Sequence, residues 1–194
     1  MKIVGIDLAG VETRKTGFCV LDEKMNVETY ILHSNKEIIK KVEDVKPKII
    51  AIDAPLALPK ERKSLEEKGN VHLRECDKKL LKMGIKFFPI TLGPMRKLTE
   101  RGIKLRKIFE KKGIEVIETY PGAAQDILKI PRKQKGIDKL KKALENLGIK
   151  GLKNKITDDE LDAVTCALVG KMYLEKNYLA IGDSEEILMI LPKL

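Results

Sequence analysis

Asp7 closes an apolar run, IVGID, and Asp53 closes a second, IIAID, while Asp159 and Asp162 lie three residues apart in TDDELDA. A carboxylate at the end of a buried strand loses solvation unless something offsets the loss. Several such groups brought together would form an oxygen-lined pocket suited to a hard divalent cation, Mg²⁺ or Mn²⁺, which also relieves their mutual repulsion. Two ions about 4 Å apart in such a pocket would activate water and stabilise the leaving oxygen of an in-line phosphodiester displacement. That chemistry needs no protein nucleophile, in keeping with a chain that has two histidines and no serine or cysteine nucleophile motif.

Each acid also has a purely structural explanation. Asp7, ahead of Gly10, could make an Asx-type turn, and Asp53, ahead of Ala54–Pro55, could open a loop. Thr157 with Glu160 is a capping box, and Asp158 and Asp159 complement a helix dipole. Asp162 escapes that account, because it lies beyond the first turn and directly precedes AVTCALVG, which must face a core. Asp162 therefore ranks slightly ahead of Asp159. Glu118, closing a further strand-like run, is an additional candidate ligand or a surface residue of an edge strand. Arg74 and Asp77 form a one-turn ion pair or else Arg74 reaches a phosphate, with His72 beside it to assist the leaving group. The basic run Arg132, Lys133, Lys135, Lys139, Lys141 and Lys142 is a solvated face or a phosphate track leading to the acids. With no Trp and 4% aromatic residues, extended base stacking is not expected.

The elements that must position these groups follow from periodicity. Residues 2–7, 16–22 and 27–33 are strand-like and open the chain as an antiparallel meander. NKEIIKKVEDV has helical spacing and is stopped before Pro47; KPKIIAIDAP is a fourth strand. The Lys-rich segment 60–70 is a mobile loop, 72–83 and 94–112 are helices, and GIEVIETYPG is a strand ending at Glu118. A short helix after Pro121, a basic helix over 136–147, a late helix opened by Thr157 and one or two short edge strands over 178–191 complete the order.

At 194 residues, a single domain spanning 1–194 is expected. No apolar stretch approaches the roughly 18 residues of a membrane span, and the N-terminus lacks signal-peptide features, so a cytoplasmic protein is expected. Cys19, Cys76 and Cys166 are odd in number and widely spaced, which indicates neither disulfides nor a zinc site. The net charge of +10 fits a nucleic-acid partner, DNA or RNA, or equally a thermostable charged surface. A homodimer is compatible with this composition.

The element order, with acids in the first strand, at the end of the fourth and in the last helix, resembles a ribonuclease H-like domain. GIDLAG and DELDA are similar to the first-strand and last-helix motifs of Holliday-junction resolvases. GIDLAG, IDAP, RECD, FFPIT, ETYPGA and TDDELDA together resemble the family named domain of unknown function 429, over most of the chain. The resemblance implies an α/β fold with a mixed five-stranded central sheet flanked by helices, with extra helices between strands 4 and 5 and before the last helix. It also implies a metal-dependent nuclease, with Asp7, Asp53, Asp159 and Asp162 as catalytic metal ligands for two Mg²⁺ or Mn²⁺ ions. Two alternatives are a non-catalytic nucleic-acid-binding domain of the same fold and an actin-like nucleotide-binding or phosphotransfer protein.

Overall fold

The first strand, β1 (Lys2–Asp7), is apolar on both sides, as a strand at the centre of a covered sheet must be. In the computed structural model, which describes residues 1–67 and 69–193, it does lie there. β2 (Thr16–Asp22) and β3 (Val27–Leu32) follow it antiparallel, while β4 (Ile49–Asp53) and β5 (Glu115–Thr119) add parallel strands on its other side. The sheet has seven strands rather than five, in the order β3-β2-β1-β4-β5-β7-β6. The two additional strands come from the tail, β6 (Tyr178–Ile181) and β7 (Met189–Pro192). β7 joins β5 through one register pair, Glu118 with Met189, and is buried along its length, so the short tail hairpin covers what would be an exposed edge.

The helices fall where expected. α1 (Asn35–Val45) is capped by Ser34 and Glu37, and α2 (Glu75–Lys82) and α3 (Gly93–Lys111) lie between β4 and β5. α4 (Pro121–Ile127) and α5 (Ile137–Asn146) precede the last helix, α6 (Asp158–Leu174). The segment 60–70 has no helix or strand among its described residues, Lys68 lying outside them. It is organised around the buried guanidinium of Arg62, which donates to the carbonyls of Ser64, Leu65 and Val71.

Strand alternation sorts the core into two layers. Ile3, Cys19, Leu21, Ile49 and Ala51 face α5 and α6, while Val4, Ile6, Phe18, Ile50 and Ile52 face α1 and α3. Two glycines let α6 lie directly on the strands. A Cβ on Gly5 would sit 2.1 Å from the Ala163 carbonyl oxygen, and one on Gly17 would sit 1.9 Å from that of Asp159. The three cysteines are buried and unpaired. Among the described residues, no helix is long and apolar enough to cross a membrane.

Candidate active site

The two strand-end aspartates share one face. In the parallel ladder Asp7 is the register partner of Asp53. Both follow by period two from residues that pack under α6, namely Ile3 and Gly5 on β1, and Ile49 and Ala51 on β4. The close approach of α6 at Gly17, itself the register partner of Asp7, then brings the first turns of that helix over the same corner. Thr157 caps the helix by accepting from the Glu160 amide, and Glu160 accepts in return from the Thr157 amide, so Glu160 is spent on capping and on Thr29 and Lys153. Asp159 and Asp162 lie close enough to the strand-end pair for their charges to act on Asp7.

The electrostatics record this crowding. Burial, then the charges of Asp53 and Asp162, hold the Asp7 carboxyl well above the usual carboxylate range. Asp53 is pushed up to about 7 by burial and by Asp162, while its neighbour Asp7 acts in the lowering sense. Asp159 is raised by burial and by Asp158. One cation sits among them. The Lys133 ammonium lies 2.9 Å from Asp162 Oδ2 and 3.5 Å from Asp158. Burial alone would lower the Lys133 pKa, but Asp162 and Asp7 raise it. Asp162 is further fixed by Gln125 of α4, whose Nε2 donates to Oδ1 at 2.8 Å and to Thr165 Oγ1 at 3.1 Å.

A groove of about 410 Å³ opens from Asp7 and Asp159 to Arg14, Lys15 and Lys133. Its wall is the β1–β2 turn, pinned by the Ala9 amide donating to Thr16 Oγ1 and by Arg101 donating to the Ala9 carbonyl. Positive side chains beside clustered carboxylates suit an anionic ligand lying over a cation. Aspartate oxygens with no Cys or His among them are hard donors, and the ammonium of Lys133 already stands in for positive charge, so the residues present fit a divalent ion. In the present arrangement, among the described residues, no group of three or more Asp, Glu, His or Cys side chains is disposed to hold one. Asp162, for its part, is bonded to Lys133 and Gln125.

Other expected residues stand elsewhere. Glu118 is register partner of Ile52, whose side chain faces α1 and α3, so it points away from the face of Asp7 and Asp53. It is neither a surface residue nor placed as a further ligand, being 1% exposed and bound to Arg74 through both oxygens at 2.7 Å and to the Leu56 amide at 2.8 Å. Arg74 is likewise interior, forked between Glu118 and Asp77, so the phosphate contact read for it is corrected to a structural ion cluster. His72 bonds Thr91 on another part of the surface, in a hollow that none of the four aspartates lines. Of the basic run, Lys133 has turned inward and Arg132 pairs with Asp126, while Lys135 and Lys139 are exposed. Sequence reasoning missed Gln125, Arg14 and Lys15. The two basic residues sit in a turn whose sequence alone does not reveal that it folds over Asp7, and a lone Gln in a short helix carries no signal.

Comparison with solved structures supports the same architecture. The chain is similar to Thermus thermophilus RuvC in complex with a Holliday junction substrate, with a TM-score of 0.54 at 12% identity, covering 91% of this chain and 96% of that one. A second structure of T. thermophilus RuvC aligns with a TM-score of 0.47 at 14% identity over the same shares. No protein-family model and no curated protein matches the sequence. At such identity the likeness concerns the fold, which is ribonuclease H-like with a sheet two strands wider than expected.

Proposed function

We propose that the protein is a metal-dependent nuclease, and the observation that carries the reading is the crowding of Asp53, Asp162 and Asp159 around Asp7, with burial and mutual charge raising the carboxyls of Asp7, Asp53 and Asp159. Strand ends that destabilise themselves in this way call for a compensating ligand. Asp7 and Asp53 from the strands, with Asp162 or Asp159 from α6, are the residues that would hold divalent cations. Bound there, Mg²⁺ or Mn²⁺ would supply Lewis acidity and an activated water for phosphodiester hydrolysis. The chain's own residues do the rest. Gln125 orients Asp162, and Arg14 and Lys15 draw the phosphate backbone across the groove. Lys133, bonded to Asp162 at the edge of the groove, would supply a further positive contact to the same backbone. The nucleic-acid complex of the RuvC structure agrees with a nucleic-acid substrate for this fold but does not choose among DNA, RNA and branched forms.

A second reading is favoured by Lys133 itself. An ammonium already seated among the acids is what a non-catalytic nucleic-acid-binding domain would use in place of an ion. Mn²⁺-dependent cleavage of mixed single-stranded, duplex and branched oligonucleotides separates the two. Wild-type protein should cleave at least one of them, and Asp7→Asn should reduce the rate by about a thousandfold or more while leaving the fold intact. Salt-sensitive binding without any cleavage would establish the second reading.

A further inference from the structure

Beside the carboxylates lies a cavity of about 170 Å³ that this chemistry does not use. Its lining joins Asp53, the one acid shared with the metal corner, to Phe87, Phe88, Tyr120 and Thr119. The chain has eight Phe and Tyr residues in all, so three of them at one small cavity is a concentration that composition does not supply. Phe88 is 67% exposed at the loop between α2 and α3, so its ring is accessible at the rim of the cavity. At the other extreme, Thr119 is 1% exposed and its Oγ1 is buried with no hydrogen-bond partner among the described residues. Buried hydroxyls are almost always satisfied, and an orphan lining a cavity points to a polar ligand edge that completes it. The floor is rigid, since Arg74, Glu118 and Asp77 are locked together beneath it.

We infer that this cavity receives one single-ring nucleobase, a pyrimidine turned out of its stack, from the nucleotide whose phosphate lies at Asp53. The inference rests on the nuclease reading for the position of that phosphate. Size favours the single ring: a cavity of about 150 Å³ admits one benzene ring, so about 170 Å³ fits one six-membered ring more closely than a fused purine. Phe87, Phe88 and Tyr120 provide the faces on which a base stacks, and Thr119 Oγ1, able to donate or accept, meets its polar edge. A single aromatic cavity also reconciles the scarcity of aromatic residues with recognition of a base, because no extended stacking platform is needed.

The test is a titration of isotopically labelled full-length protein by NMR, without divalent ions, using thymidine and 2′-deoxyadenosine, neither of which carries a phosphate. Thymidine should shift the resonances of Thr119, Phe87, Phe88 and Tyr120 with an affinity at least about tenfold above that of deoxyadenosine. Phe88→Ala, at an exposed position, and Thr119→Val, which keeps the shape, should each weaken thymidine about five- to tenfold. Absence of thymidine shifts at these residues, equal binding of the purine, or unchanged affinity in Thr119→Val would overturn the inference. Cleavage measured in parallel keeps the two readings apart. Thymidine binding with no Mn²⁺-dependent cleavage would strike the nuclease reading alone, and cleavage without thymidine binding would strike the cavity alone.

Discussion

Asp53 carries the tension of the site most openly. Its carboxyl, like that of Asp7, is raised above the value it has in an unfolded chain, so the folded state holds these protons more tightly. The stability this contributes is fully present below about pH 4, the ordinary aspartate range. It is lost as pH rises through about 7, where Asp53 titrates. The metal-free protein should therefore melt at a lower temperature at pH 8 than at pH 5.5, with Mn²⁺ restoring more at pH 8. Asp53→Asn should remove part of the pH dependence and stabilise the metal-free protein at pH 8 by on the order of 1–3 kcal/mol. Each kcal/mol corresponds to about 2–4 °C for a chain of this size. Calorimetry of both proteins across that range checks the claim; a variant that melts below wild type at pH 8 would show that Asp53 is a turn residue. Lys133 works in the opposite sense. Removing it by Lys133→Ala leaves Asp162 without its cation, so the metal-free protein should lose about 1–3 kcal/mol and recover with Mn²⁺ in a thermal melt, whereas a purely structural lysine would leave a deficit that metal does not repair.

At the scale of elements, α6 is the part on which the corner depends. Its capping box and the apolar run after Asp162 are plain in the sequence, and so are β1, β4 and the acids that end them. What periodicity could not supply is register. Glu118 reads as a strand-end acid like Asp53, yet the β4–β5 ladder sets it opposite Ile52, one residue out of phase, and a shift of one residue puts a side chain on the other face. Arg74 misled for a related reason: its partner Glu118 is 44 residues away, and only the tertiary fold, which packs α2 on the tail strands next to β5, joins them. The closeness of α6 to the sheet was equally hidden, since Gly5 and Gly17 look in the sequence like ordinary strand glycines. Gly17→Ala tests their role. The added methyl would meet the backbone of Asp159, so α6 must lift. Overpacking of this kind costs about 1–3 kcal/mol, and cleavage should fall as well because Asp159 and Asp162 move from Asp7. A chemical melt and a rate measurement on the same sample decide it; unchanged stability and rate would mean that α6 is not held at that distance.

For the molecule as a whole, the net charge is +10. Arg14 and Lys15 flank the groove, and Lys135, Lys139 and Lys142 are exposed on the segment leading to α6. Replacing those last three lysines by Ala should weaken binding to single-stranded oligonucleotides of any sequence and reduce the salt slope by about 0.7 for each phosphate that a lysine no longer neutralises. Fluorescence anisotropy at several salt concentrations reads both quantities. An unchanged slope would assign the positive charge to solubility or thermal stability instead.

All of these expectations meet in the four aspartates, and the position of a metal among them is the most direct test. Crystals grown with Mn²⁺ and measured for anomalous scattering should show density between Asp7, Asp53 and α6, with the Lys133 ammonium withdrawn from Asp162. Anomalous maps without a peak there, with Lys133 still bonded to Asp162 at millimolar Mn²⁺, would contradict the account.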